Sequence, residues 1–395
     1  MSRQLASRMK QVQPSAIRDL LQLGADPRIT SFAGGYPDAT LFPLDQLAQV
    51  FETAIRGRGR DTLQYTVSNG MLRLRELVAT RLARDKMTVS ADNILILQGS
   101  QQGLDLVAKM YIDKGDVIVT ESPTFLGALI AFNPCEPRYA GARMDSDGMD
   151  MDDLERLLKR NPGVKLLYTI PDFQNPTGAT MSLPRRQRLI ELANAHDFMI
   201  LEDTAYRELR YEGEPVPTLK SLDTQDRVIC LGTFSKILSP GLRIGWAAAS
   251  TGIIEQLGLL KLAADTQCST LNMAAVSLFL ERHDIDEHIA KLRNVYRRKR
   301  DVMLDTIRRT FPQDVSCSEP SGGLFTWLTF AEGFDTARFM MKQALPKARI
   351  AYVPGATFFP VKEESNHARL NYSSQPDDVI VRGITALGNL LKNHA

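Results

Sequence analysis

The chain has 395 residues, 44% hydrophobic and 24% charged, an ordinary globular composition with enough length for two domains. Its 48 basic and 46 acidic side chains leave a formal charge of +2, which excludes a global electrostatic attraction to nucleic acid or anionic membrane. There is no apolar run of about 18 residues for a membrane span and no apolar core of a secretory signal at the start, and the four scattered cysteines fit reduced thiols better than disulfides or a metal site, so the expected compartment is the cytoplasm.

Residues 1–45 include a Gly- and Pro-rich stretch, Phe32-Ala33-Gly34-Gly35-Tyr36-Pro37, and are expected to pack with a small C-terminal domain. Over roughly 90–250, short apolar runs alternate with helical patterns. Strands are predicted at 93–97, 116–120, 164–170, 198–201, 227–231 and 244–249; several are almost continuously apolar, as strands covered on both faces must be. Between them Leu104, Val107, Ala108 and Tyr111 recur at helical spacing. So do Leu189, Leu192 and Ala193, after the helix-starting Ser182 and Pro184. This alternation implies an α/β fold: a large domain over 46–285 with a mostly parallel, mixed sheet sandwiched by helices. Beyond about 270 the pattern changes to a helix over 284–310, strands at 323–330, 349–353 and 368–372, and a last helix with Ile380, Ile384, Leu387 and Leu391 on one face. That is a smaller α+β domain, 286–395. The basic run Arg297-Arg298-Lys299-Arg300 is expected on a solvated helix face, not at a nucleic-acid site.

Open α/β sheets bind ligands beyond the carboxyl ends of their strands. After 93–97, Gln98-Gly99-Ser100-Gln101-Gln102-Gly103 opens a helix, which serves either as a plain N-cap or as an anion site. After 116–120, the ring of Phe125 stacks on a planar heterocycle or simply packs. After 164–170, Asn175 in Asn175-Pro176-Thr177-Gly178 caps a turn or donates to a phenolate oxygen. After 198–201 comes Glu202-Asp203-Thr204-Ala205-Tyr206, and a carboxylate at a buried strand end is costly without a partner. Asp203 either caps the following helix or faces a pyridinium. Keeping such a ring protonated two pH units above its free value requires roughly 3 kcal/mol. A charge pair at 4 Å supplies about 4 kcal/mol at an effective dielectric near 20, so one aspartate suffices.

The most informative stretch is 232–246. Lys236 comes after the apolar run 228–231 and stands among Thr233 and Ser235, with Arg243 seven positions on. Desolvation or cationic neighbours convert a lysine into a Schiff-base nucleophile, while hydroxyls and a guanidinium grip phosphate. A phosphate beside an amine that condenses with aldehydes points to pyridoxal phosphate; the alternative is an exposed lysine in a Ser/Gly loop.

These segments occur in the order and spacing of one family. Through Asn175-Pro176-Thr177-Gly178, Glu202-Asp203-x-x-Tyr206, Ser235-Lys236 and Pro240-Gly241-Leu242-Arg243-Ile244-Gly245-Trp246, the chain resembles the fold-type I pyridoxal-phosphate aminotransferases, and within them the α-aminoadipate, kynurenine and aromatic branch, from Ser15 to Leu370. The resemblance implies that Lys236 forms the internal aldimine and shuttles a proton, that Asp203 pairs with the ring nitrogen, and that Asn175 and Tyr206 meet the phenolic oxygen. It implies Phe125 on the ring, phosphate held by Gly99, Ser100, Gln101, Thr233, Ser235 and Arg243, and Tyr65 reaching the phosphate of a neighbouring subunit in a homodimer with shared active sites. Arg369 would grip the substrate α-carboxylate, Gly35 and Asn175 would also contact substrate, and Arg18 would accept a distal carboxylate or swing away from apolar side chains. Phe125 and Thr233 stand where the family often has tyrosine and serine; each keeps the π-face or hydroxyl. The implied reaction moves the amino group of 2-aminoadipate, glutamate, or an aromatic or aliphatic amino acid to a 2-oxo acid, with 2-oxoglutarate expected, by ping-pong kinetics. The alternatives are a C–S or β-lyase on the same scaffold and, more remotely, a non-catalytic sensor domain. The chain opens on the aminotransferase-like segment without a winged-helix head, which weighs against the sensor.

Overall fold

The structure, a computed structural model, describes residues 5–10, 12 and 26–394. Its centre is a sheet of eight strands among the described residues: β1 (Ile94–Leu97), β2 (Val117–Ser122), β3 (Arg138–Asp145), β4 (Gly148–Met149), β5 (Leu166–Thr169), β6 (Met199–Asp203), β7 (Val228–Thr233) and β8 (Gly245–Ala248). They lie in the order β1-β8-β7-β6-β5-β2-β3-β4. Neighbours from β7 to β3 run parallel, β8 is antiparallel to both β1 and β7, and β4 returns antiparallel to β3. The carboxyl ends of β1, β2, β5, β6 and β7 therefore open on one edge. All four residues of β1, Ile-Leu-Ile-Leu, are buried, as are all six of β7, because helices cover both faces. β3 carries no comparable apolar run: its residues alternate irregularly between buried and exposed near the sheet margin, so apolar continuity gives no signal for it.

A second core gathers Met303, Ile307, Trp327, Leu370, Ile380, Ile384 and Leu387 around the antiparallel strands Phe325–Thr329 and His367–Asn371. Phe32 and Ala33 belong to it, and Thr30–Ser31 pairs in parallel with Ile350–Ala351. The helix Ile285–Thr310 crosses from one core to the other. Asp284 caps its first turn through the N–H groups of Asp286 and Glu287, and Arg308 and Arg309 occupy its last, both favourable to the helix dipole.

The basic run on this helix corrects the expectation of a wholly solvated face. Arg297 and Arg298 are exposed, but Lys299 and Arg300 are buried. Lys299 Nζ donates to Asp38 Oδ2 at 2.6 Å and to the Ser373 carbonyl at 2.9 Å; Arg300 donates to the Pro320 carbonyl and to Glu212 and Asp301. Helical periodicity turns two of four consecutive residues inward, and these two find partners there. No helix of the described residues is long and apolar enough to cross a membrane.

Candidate active site

A cavity of about 440 Å³ opens at the strand ends, between the sheet and the stretch Ala33–Pro37. Gly35, Ser100, Gln101, Phe125, Asn175, Asp203, Tyr206, Thr233, Ser235, Lys236, Arg243 and Arg369, twelve of the residues named above, line it. Gly99 stands just behind, under the Arg243 guanidinium. Tyr65 does not reach it and is 81% exposed. Arg18 lies outside the described residues.

The ends of the central strands deliver Asp203, Lys236 and Asn175, while Arg369 comes from the middle of the strand His367–Asn371. β6 finishes at Asp203, which is 2% exposed. Its Oδ1 accepts from the Ala205 N–H at 3.2 Å and its Oδ2 from the Tyr168 hydroxyl at 3.2 Å. Burial raises the carboxyl to about 6 against those hydrogen bonds and the attraction of Lys236, so an added cation would be welcome there. Lys236 lies just beyond β7. Its Nζ donates to the Gly35 carbonyl at 2.9 Å, and burial, aided by Arg369 and opposed by Asp203, lowers it to about 8.

Asn175 is buried on the loop after β5. It donates to Tyr206 Oη at 3.4 Å and accepts from Arg369 Nη1 at 2.8 Å. Burial pushes the Tyr206 phenol up, so that it stays a hydrogen-bond donor. Arg369, 4% exposed, stands between the rings of Phe325 and Phe358, 4.2 and 5.1 Å from their centroids. It gives Nη2 to the Ala33 carbonyl, its Nε has no partner, and burial lowers it to about 10. A buried guanidinium with a spare donor suits an anion bound in two-pronged fashion.

The anion cup lies at the other end. Gly99 has φ +75°, and a Cβ there would meet the Arg243 guanidinium at 2.7 Å. Arg243 donates Nη2 to the Gln98 carbonyl, next to the N-terminus of the helix Ser100–Tyr111. The Thr233 hydroxyl donates to Ser235 Oγ at 2.9 Å and accepts from the Ser235 N–H. Phe125 is held over Gly127, where a Cβ would come within 2.4 Å of the ring.

Several supporting residues escape sequence reasoning. Glu121, at the end of β2, is fully buried and pushed up to about 7 by burial; it accepts from the Thr169 hydroxyl, the Ile170 N–H and Gln174 Nε2. Gln174 also donates to the Pro123 carbonyl and accepts from the Thr177 N–H and hydroxyl, which ties the Phe125 loop to the Asn175 loop. Asp172 is surrounded by Arg186, Arg207 and Arg210, whose charges outweigh the effect of burial and hold its carboxyl low. A signal existed in the polar residues beside the Asn175 motif, but their partners come from distant strands. The Gly34-Gly35 pair was visible; that neighbouring carbonyls would engage both Lys236 and Arg369 was not.

Three cations and one carboxylate facing a 440 Å³ space favour a dianionic, planar, cationic-nitrogen ligand together with a carboxylate substrate. The waiting Asp203, the Lys236 amine lowered to about 8, the cup under Arg243 and the orphan Nε of Arg369 fit pyridoxal phosphate and an amino acid. A larger cleft of about 720 Å³ behind Thr177–Thr180 contains none of these groups.

Comparison with known proteins agrees with this geometry. The family model described as aminotransferase class I and II matches residues 33–387. An aromatic-amino-acid aminotransferase of Thermococcus litoralis is 40% identical over 96% of this chain and 92% of its own length. The kynurenine aminotransferase of Pyrococcus horikoshii, solved with PMP, superposes with a TM-score of 0.94 at 36% identity, covering 99% of this chain and 97% of that one. The α-aminoadipate aminotransferase of Thermus thermophilus, solved with N-(5'-phosphopyridoxyl)-L-leucine, gives 0.92 at 36% identity over 98% and 97% of the two chains.

Proposed function

Because the chain belongs to the class I and II aminotransferases and its cofactor is pyridoxal phosphate, we propose that it transfers the amino group of 2-aminoadipate, glutamate, or an aromatic or aliphatic amino acid to 2-oxoglutarate. The observation that carries this reading is the convergence of Lys236, Asp203 and Arg369 in one cavity, two of them bonded to carbonyls of the same short stretch.

The bound cofactor supplies an electron sink for negative charge developing at the amino acid's Cα. The chain's own residues do the rest. Thr233, Ser235, Arg243 and the N–H groups at Ser100 and Gln101 hold the phosphate. Asp203 keeps a proton on the ring nitrogen, and Asn175 and Tyr206 fix the phenolic oxygen. Arg369 exchanges the Ala33 carbonyl for the substrate carboxylate and so orients the Cα–H bond. Lys236 Nζ would hold the cofactor at its aldehyde carbon and is the base placed to take the substrate's Cα proton. At pH 8 about half of such an amine is neutral, against well under a hundredth for an unperturbed lysine.

Exposed Leu63, Tyr65, Val67, Leu72, Leu259 and Leu262 support a homodimer in which Tyr65 serves the other subunit's phosphate. Arg18 remains the candidate for a distal carboxylate. On that reading Arg18→Ala raises KM for 2-aminoadipate and glutamate more than for leucine or phenylalanine; equal effects would remove it from recognition.

The test of the reaction is stoichiometry. Amino acid alone should yield about one equivalent of 2-oxo acid per subunit, and adding 2-oxoglutarate should restore turnover. Continued turnover without an acceptor would mark a lyase instead.

A further inference from the structure

The segment that presents Tyr65 is held by an unusual turn. After the helix Thr251–Asp265, Thr266 adopts φ 64° and ψ −54°, a γ-turn of the rare hand that is costly for a β-branched residue. The Gln267 N–H closes the turn on the Asp265 carbonyl at 2.7 Å. Strain of this kind persists only where surrounding contacts over-determine it. Here they do. The Asp265 carboxylate accepts from Lys261 Nζ at 2.8 and 3.0 Å and from Gln102 Nε2 at 2.8 Å, and the Lys261 side chain is fully buried. Gln102 Oε1 in turn accepts from Lys261 and from the Gln98 N–H, next to the anion cup.

The turn delivers the Gln267 side chain to the residues on either side of Tyr65. Gln267 Oε1 accepts the Thr66 N–H. Its Nε2 donates to the Thr270 hydroxyl at 2.8 Å, and that hydroxyl donates to the Gln64 carbonyl at 3.0 Å. Both peptide neighbours of Tyr65 are thus tied, while the tyrosine itself projects into solvent. A pinned backbone under a free aromatic side chain is what a contact across a subunit boundary requires.

We propose that Gln267 is a positioning residue for cofactor binding in the neighbouring subunit: delivered by the strained turn, its amide sets the reach of Tyr65 to the phosphate held there. This rests on the dimer with shared sites proposed above. The bond from Asp265 through Gln102 to Gln98 ties the same turn to the chain's own phosphate cup, so both halves of the shared site use one framework.

The experiment is a double-mutant cycle on pyridoxal phosphate affinity. Cofactor-free wild type, Tyr65→Phe, Gln267→Ala and the double variant are titrated with pyridoxal phosphate by absorbance, and their assembly is measured by sedimentation. Each single variant should stay dimeric and weaken binding, Tyr65→Phe about tenfold, as loss of one hydrogen bond to a charged group would, and Gln267→Ala severalfold and no more than that. The double variant should bind no more weakly than Tyr65→Phe alone. Gln267→Glu, which keeps the acceptor for the Thr66 N–H, should recover part of the loss. Undiminished affinity in Gln267→Ala, an additive double variant, or a monomeric Gln267→Ala would overturn the positioning role while leaving Tyr65 in place. Undiminished affinity in Tyr65→Phe would instead remove the Tyr65 reading, and this inference with it.

Discussion

Lys236 stands among groups that make its charged form expensive. Between pH 8 and 10.5 the unfolded chain binds a proton at this amine that the folded, cofactor-free protein does not, so stability rises with pH across that window. Below pH 8 the folded protein carries the full cost of an ammonium in a half-buried, largely desolvated site. Lys236→Met should therefore make the cofactor-free protein more stable at pH 7, by up to about 3 kcal/mol, with the difference closing above pH 10.5. Chemical denaturation of both proteins at several pH values checks this; a pH-independent difference would place the lysine in a solvated environment. Asp203→Asn leaves the shape of the site and removes the charge that keeps a ring nitrogen protonated. The reaction should slow at least about a hundredfold, the equivalent of two pKa units, with phosphate binding little changed. Stopped-flow measurement of the first half-reaction decides it.

At the level of elements, loops between strands and helices carry the site, and two glycines show how tightly they approach. Gly99→Ala both strains a backbone held at φ +75°, where an L side chain is costly, and displaces the Arg243 guanidinium from the cup. Weaker pyridoxal phosphate binding together with a lowered Tm is the expected result of a titration and a thermal melt. A Cβ in Gly127→Ala clashes with the Phe125 ring and with Gln101 Oε1, and by displacing them should likewise weaken binding. The strands were legible because doubly covered segments such as β1 and β7 must be continuously apolar. β3 was not, since its burial alternates irregularly. Most cavity-lining groups were legible because each lies a few residues past a readable strand. The Tyr168 hydroxyl on Asp203, the Glu121–Gln174 tie and the two carbonyls that engage Lys236 and Arg369 were not: each contact joins segments 35 to 336 positions apart, and neither periodicity nor spacing encodes such pairs. Lys299 and Arg300 repeat the lesson, their inward direction being set by helix phase rather than by charge.

For the whole molecule, the described surface shows Leu63, Tyr65, Val67, Leu259 and Leu262 to solvent on segments that the Gln267 turn connects. Leu259→Asp should shift the protein toward monomer in sedimentation and cause it to lose cofactor on dilution. A dimer that retains cofactor would assign assembly to another face. The most direct test of the central claim is borohydride reduction of the cofactor-loaded protein followed by peptide mass mapping. The pyridoxyl phosphate label should appear on Lys236, and prior addition of an amino acid substrate without acceptor should abolish it. A label on a different lysine, or full turnover by Lys236→Ala, would contradict it.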